Sequence, residues 1–167
     1  GEISNKSILF LLSKPISRSR IFVEKYLSIV SLLFVSNILL SIFSMLAVKL
    51  FTKETDFNLN FVVIVFAYLF ILELFFGTLS LLAGLMFNNS KGILVGIFAI
   101  FISYTLKVMS SITKEAEFIK YITPNFYVNL DSLKVDSGFD AKVLVIIALT
   151  LVFATVSYYV FQRIDIN

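Results

Sequence analysis

Hydrophobic positions in this chain come in long blocks rather than in alternation. Positions 26–51, 59–87, 92–109 and 143–161 are dominated by Leu, Ile, Val, Phe and Ala, with Ser, Thr, Asn and a single Glu scattered among them. A two-residue alternation would have suggested strands with one wet face, whereas continuous apolar runs of this length predict helices. A bilayer core of about 30 Å is crossed by roughly 20 helical residues, and only helices or closed barrels satisfy their backbone hydrogen bonds there. The third block has only about 15 uninterrupted apolar residues, short for a span. It reaches 109 if Lys107 lays its stem along the bilayer and lifts its ammonium to the interface.

The polar stretches between the blocks order them. "TKETDFN" at 52–58 turns the chain back after the first block. "NNSK" at 88–91 is so short that the second and third helices must be antiparallel neighbours. A longer polar segment, 110–142, precedes the last block. In it "TKEAEFIKYITP" has the pattern of a short interfacial helix, with Glu115 and Glu117 in the first turn, Phe118, Ile119 and Ile122 on one face, and Pro124 ending it. "SGFD" at 137–140 has the spacing of a capping box, with Ser137 as the cap of the last helix. The expected architecture is all-α, a polytopic membrane helix bundle of four spans forming a single transmembrane domain over 1–167.

Composition agrees and narrows the chemistry. The chain is 167 residues long, 59% hydrophobic, with a mean hydropathy of +0.96. It contains no His and no Cys, which removes the commonest general base, the usual zinc ligands and any disulfide frame, so no metal site is expected. A net charge of +3 with dispersed cations does not describe a nucleic-acid surface. No phosphate-binding loop of the GxxxxGK[ST] type occurs, "SKGILVG" at 90–96 merely sharing its letters. Nucleotide hydrolysis is therefore not expected of this polypeptide. An intramembrane enzyme would need His, Cys or grouped carboxylates to activate water, and these are missing.

The segment before the first span holds the densest polar punctuation. "LLSKPISRSR" at 11–20 packs a proline, three serines and three cations against an apolar wall. Positions 8–12 suit a short surface helix, Pro15 fixes a bend, and Ser17 caps a second helix that runs into the first span. Arg18 and Arg20 then fall in a first helical turn, where the helix dipole disfavours cations by a few tenths of a kcal/mol or so. Anionic lipid headgroups or a docked protein would each favour them. Lys and Arg divide seven to seven between the two sides, but four of one set crowd into 14–25. The weighting of cations near span ends therefore places the lead-in, the "NNSK" turn and the C-terminus in the cytoplasm, with 110–142 outside.

The residues of this lead-in resemble those of ABC-2 type transporter permeases, in which an acid, Leu-Leu-Ser, Pro-Ile-Ser-Arg and a downstream lysine precede a span. The matching positions are Glu2, Leu11, Leu12, Ser13, Pro15, Ile16, Ser17, Arg18 and Lys25; Lys6-Ser7 stands where the family has Gly-Thr. "TPNFY" at 123–127 and "FQRIDI" at 161–166 are similar to the family as well. The resemblance implies a six-span permease of the cell membrane, with two spans upstream of Gly1 and 1–25 as a cytoplasmic coupling segment. It implies export of a substrate by pairing with a second permease, homologous or identical, and with a cytoplasmic ABC ATPase that binds the ATP; no cofactor is expected in the permease itself. Leu11, Leu12, Pro15, Ser17 and Arg18 are the coupling residues on that pattern. The alternative is a non-ABC accessory or immunity protein of the membrane.

Inside the bilayer, Glu73 is the only ionisable residue deep in a span, with Asn37 at similar depth in the first. Such a carboxylate usually faces the bundle interior with a partner. Donation from the Asn37 amide would make the pair structural glue; a place on a substrate or proton path is the other reading. Gly92 and Gly96 form a GxxxG that lets another helix approach closely, within the subunit or at an interface between subunits.

Overall fold

The computed structural model describes residues 17–51, 59–87, 89–112, 118, 121–128 and 140–163. Four helices carry the apolar blocks: α1 (Arg18–Phe51), α2 (Leu59–Met86), α3 (Asn89–Ile112) and α5 (Val143–Arg163), with a single turn, α4 (Pro124–Tyr127), between the last two. All four long helices have the length and apolarity to cross a bilayer. Their outward faces are apolar because the surrounding solvent is hydrocarbon: Leu32, Phe43, Ile97, Phe101 and Leu151 are among many large side chains left exposed.

Helix α2 is the hub. It packs along α3 on one flank and α5 on the other, and along α1 less extensively. On the α5 side the contact is filled by bulk: Tyr68, Leu72, Phe75 and Phe76 join Val128, Val143 and Ile146 in one buried cluster, with Phe153 against Phe75. On the α3 side the helices close on small residues. Helix α1 lies at the edge and buries only Phe22 and Asn37.

Helix bounds differ from the hydrophobic blocks in informative ways. The first helix begins at Arg18 rather than 26, since Ser17 accepts the Arg20 N–H at Oγ (3.3 Å) and at its carbonyl (2.9 Å) and so caps it. At 34 residues it is about 51 Å long, well beyond a 30 Å hydrocarbon core, so its polar first turns stand clear of the bilayer. The third helix runs on past 109 to Ile112, and Ser110 and Ser111 stay in it by donating to the carbonyls of Lys107 and Val108.

Two expectations for the segment before the last span are corrected. Pro124 opens a helical turn instead of ending one: it occupies N1, where its missing N–H costs nothing, behind the extended Thr123. Phe118, Tyr121 and Ile122 are in 3₁₀ turns, while Glu115, Glu117 and Ile119 lie outside the described residues. The cap of α5 is Asp140, whose Oδ1 accepts the Lys142 N–H at 2.9 Å and whose carbonyl accepts that of Val143. Ser137, the expected cap, lies outside the described residues. A carboxylate directly ahead of the first turn also suits the helix dipole.

Candidate functional site: a polar end and an intramembrane groove

At one end of the bundle the first two turns of α1 are bonded to the last two of α5. Arg18 Nη1 donates to the Gln162 carbonyl (3.1 Å), Gln162 Nε2 donates to Ser19 Oγ (3.0 Å), and Ser19 Oγ and Tyr158 Oη are 2.9 Å apart. Beneath them Phe22 stacks on Tyr26 and meets Tyr158 edge-on and Phe161 at a tilt. This resolves why cations occupy a helix N-terminus. Arg18 reaches the C-terminal carbonyls of α5, the negative end of a neighbouring dipole, and Arg20 pairs with Glu24 one turn on at 2.8 Å. The Arg20–Glu24 pair is largely exposed and contributes a few tenths of a kcal/mol at most.

Of the expected coupling residues, Ser17 and Arg18 are thus placed at the head of α1, and Leu11, Leu12 and Pro15 lie outside the described residues. Ser19, Tyr158 and Gln162 were not singled out from sequence. Their only signal there was polarity: a Ser between two arginines, and a Tyr and Gln at the end of an apolar block.

The opposite end is pinned separately. Tyr68, fully buried on α2, accepts the Asp140 N–H at 2.6 Å and so ties the hub to the start of α5. Asn125 on α4 donates to Ser103 on α3 at 3.0 Å. Lys142 sits 5.4 Å from the centre of the Phe126 ring, a cation–π contact at the helix entry.

Between the two ends a groove runs along α2, walled by α1 and α3. It encloses about 540 Å³ and is lined by Leu33, Glu73, Phe76, Ser80, Ile97 and Tyr104, with Asn125 at the α4 end. A second stretch of about 350 Å³ shares Gly77, Ser80 and Ile93 with it and continues past Gly84 toward the polar end. The small residues Gly77, Ser80 and Gly84 form its floor, which explains how a groove of this length survives in a packed bundle.

Glu73 lies in this groove at the middle of α2, and Asn37 is beside it on α1. The Asn37 side chain lies within hydrogen-bonding reach of the Glu73 carboxyl, as expected, but the fit is poor: Asn37 Nδ2 and Glu73 Oε2 are both buried without a well-aligned partner. The α1–α2 contact is held around them by packing, Leu33 against Gly77 and Phe34 against Phe70. Gly92 and Gly96 face α2 within the same chain. A Cβ on Gly92 would come within 2.5 Å of Gly84 Cα, and one on Gly96 within 2.9 Å of Ser80 Cβ. Ser80 Oγ uses the close approach to donate to the Gly92 carbonyl at 2.8 Å.

No group of three or more His, Cys, Asp or Glu that could hold a metal exists among the described residues. What the described residues do assemble is a long groove with one carboxylate, and a bonded helix pair at one end.

Comparison with known proteins gives one match. A family model described as "ABC-2 family transporter protein" matches residues 1–166. No curated protein and no solved structure matches the chain.

Proposed function

Because this chain belongs to the ABC-2 transporter family, matched over residues 1–166, and is a multi-pass permease of that type, we propose that it exports its substrate with energy from ATP hydrolysed by a separate cytoplasmic ATPase. The segment 1–25 docks that ATPase, a second permease subunit completes the pathway, and the lead-in and the C-terminus lie in the cytoplasm. ATP is bound by the partner alone.

The observation that carries this reading, beside the family match, is the bonding of the head of α1 to the end of α5. A load applied just ahead of Ser17 reaches two spans at once, because α1 continues from that point without a break and α5 is held to its first turns. Interfaces of this kind transmit rigid-body displacement rather than dissipating it, since packed elements shift as units.

The test is a pull-down of the tagged full-length protein from its membrane in mild detergent, scored by co-purified vanadate-sensitive ATPase activity. Arg18 also holds α5, so the docking variant is Leu12→Glu/Pro15→Ala, which touches none of the described contacts. The expected result is ATPase with wild type and a loss of at least tenfold with the variant at unchanged thermal stability. Absence of any ATPase, under conditions that keep a known ABC complex together, would overturn the reading.

A further inference from the structure

Among the described residues, the groove over α2 is lined by a single acidic group, Glu73, and by no basic one. The described cations Arg18, Arg20, Lys25, Lys49, Lys91, Lys107, Lys142 and Arg163 all lie within about two turns of a helix end or just outside one, whereas Glu73 sits at the middle of α2. An intramembrane carboxylate is costly and normally finds a partner in the bundle. Here the polar side chain beside it, Asn37, is itself over nine-tenths buried, yet neither its amide nitrogen nor Glu73 Oε2 has a well-aligned hydrogen-bond partner. A buried carboxylate oxygen without a well-aligned partner, on a residue that lines an unfilled volume, is the pattern of a site whose complement comes from outside.

The rest of the groove defines that complement. Its walls are aliphatic and aromatic, and its volume of about 540 Å³ falls in the range of small-molecule sites. Ile93, Ile97 and Ile100, which form the α3 wall, remain half or more exposed, so among the described residues the groove is open along its side. Phe76 and Tyr104 line it with aromatic rings, a residue type that can favour a cation, and Asn125 and Tyr104 give the α4 end a polar mouth. A neutral or anionic molecule would leave the carboxylate without a counter-charge or repel it.

We propose that this groove binds an amphiphile bearing a protonated amine, its hydrocarbon along Leu33, Phe76 and Ile97 and its ammonium donating to the Glu73 carboxylate. As a binding site this stands on the groove itself; as the transported cargo it rests on the permease reading above.

The experiment uses the full-length protein in phosphatidylcholine nanodiscs without ATPase, titrated at pH 7 with radiolabelled dodecylamine, and with dodecanol and dodecyl sulfate as neutral and anionic chains of equal length. Uptake by empty discs is subtracted. Dodecylamine is expected to bind saturably, about one per chain, and at least tenfold tighter than dodecanol. Glu73→Gln is expected to bring it down to the dodecanol level, and Ile97→Trp, which adds bulk at an exposed wall position, to weaken both chains together. A measurement without any variant guards against misfolding. Dodecylamine, but not dodecanol, should slow the labelling of wild-type Glu73 by dicyclohexylcarbodiimide about tenfold by mass spectrometry. Equal binding of the three chains, a preference that survives Glu73→Gln, or labelling unaffected by the amine would each overturn the site. Selective binding with no stimulation of ATPase in the co-purified complex would overturn the cargo assignment alone. Loss of the complex itself would overturn the permease reading and leave the site standing.

Discussion

Single residues in this bundle matter where they hold a polar group away from water. Tyr68 is 1% exposed and its hydroxyl is the acceptor for the backbone N–H of Asp140, the α5 cap. Tyr68→Phe leaves that N–H without its acceptor and should destabilise the protein by about 1–2 kcal/mol in reversible detergent unfolding. Asp140→Ala removes the carboxylate that accepts the Lys142 N–H and should cost about 1 kcal/mol, because N-cap losses are of that size. The two changes act on one junction, so their effects should fall short of additive. Neither role was legible from sequence. An aspartate three residues ahead of an apolar run and a tyrosine inside another become partners only when α2 and α5 are laid side by side, 72 positions apart.

At the scale of the element, helix pairs here are of two kinds. The α2–α5 contact is filled by large side chains, while the α2–α3 contact is set by how closely two backbones can approach. The space at each glycine then ranks the outcome of adding a methyl group. Gly92→Ala places its Cβ against Gly84 backbone, which cannot step aside, and should destabilise by about 1–3 kcal/mol. Gly96→Ala meets the Ser80 side chain and should cost less, and Gly77→Ala meets only Leu33 Cδ1 at 3.3 Å and should be within about 0.5 kcal/mol of neutral, helped by alanine's higher helix propensity. A ranking other than Gly92, Gly96, Gly77 in unfolding experiments would contradict this packing. The chain has no cysteine, so a pair can be introduced cleanly. Ser80→Cys/Gly96→Cys should resist disulfide formation under mild oxidation, since a Cβ on Gly96 would lie 2.9 Å from that of Ser80, closer than the roughly 3.5–4.5 Å a disulfide needs. The GxxxG was visible in the sequence, but which helix it faced was not. Spacing announces a close approach without naming the partner.

For the molecule as a whole, the bonds between α1 and α5 join positions about 140 apart in sequence and make the first and last described helices one unit at the polar end. In a double-mutant cycle of Ser19→Ala and Tyr158→Phe, the coupling energy in unfolding should be about 0.5–1.5 kcal/mol, and a value near zero would mean the contact carries no load. The same connection gives a functional expectation under the permease reading. Tyr158→Phe combined with Gln162→Ala should keep the ATPase bound but lower transport per ATP, as measured by vesicle uptake against phosphate release. Across the groove the balance is different. Among the described residues Glu73 and Asn37 lie side by side without a well-aligned bond, with Leu33 packed on Gly77 and Phe34 on Phe70.

The sequence by itself determined the medium, the helices and the family. Apolar blocks of spanning length admit few other structures in a bilayer, the short turn at 88–91 forces antiparallel neighbours, and the residues of 11–18 together with "TPNFY" carry the ABC-2 resemblance. These are local properties, readable from composition and spacing along the chain. What only the tertiary structure decided is which faces meet. It seated Arg18 on the end of α5, gave the cap of α5 to Asp140 with Tyr68 behind it, turned Gly92 and Gly96 onto Ser80 and Gly84, and left Glu73 at the floor of an open groove. Helices that are apolar all round carry no stripe to say which side is inward. Small residues, volumes and a few hydrogen bonds settle the rotation of each helix, and those act only once the helices are together.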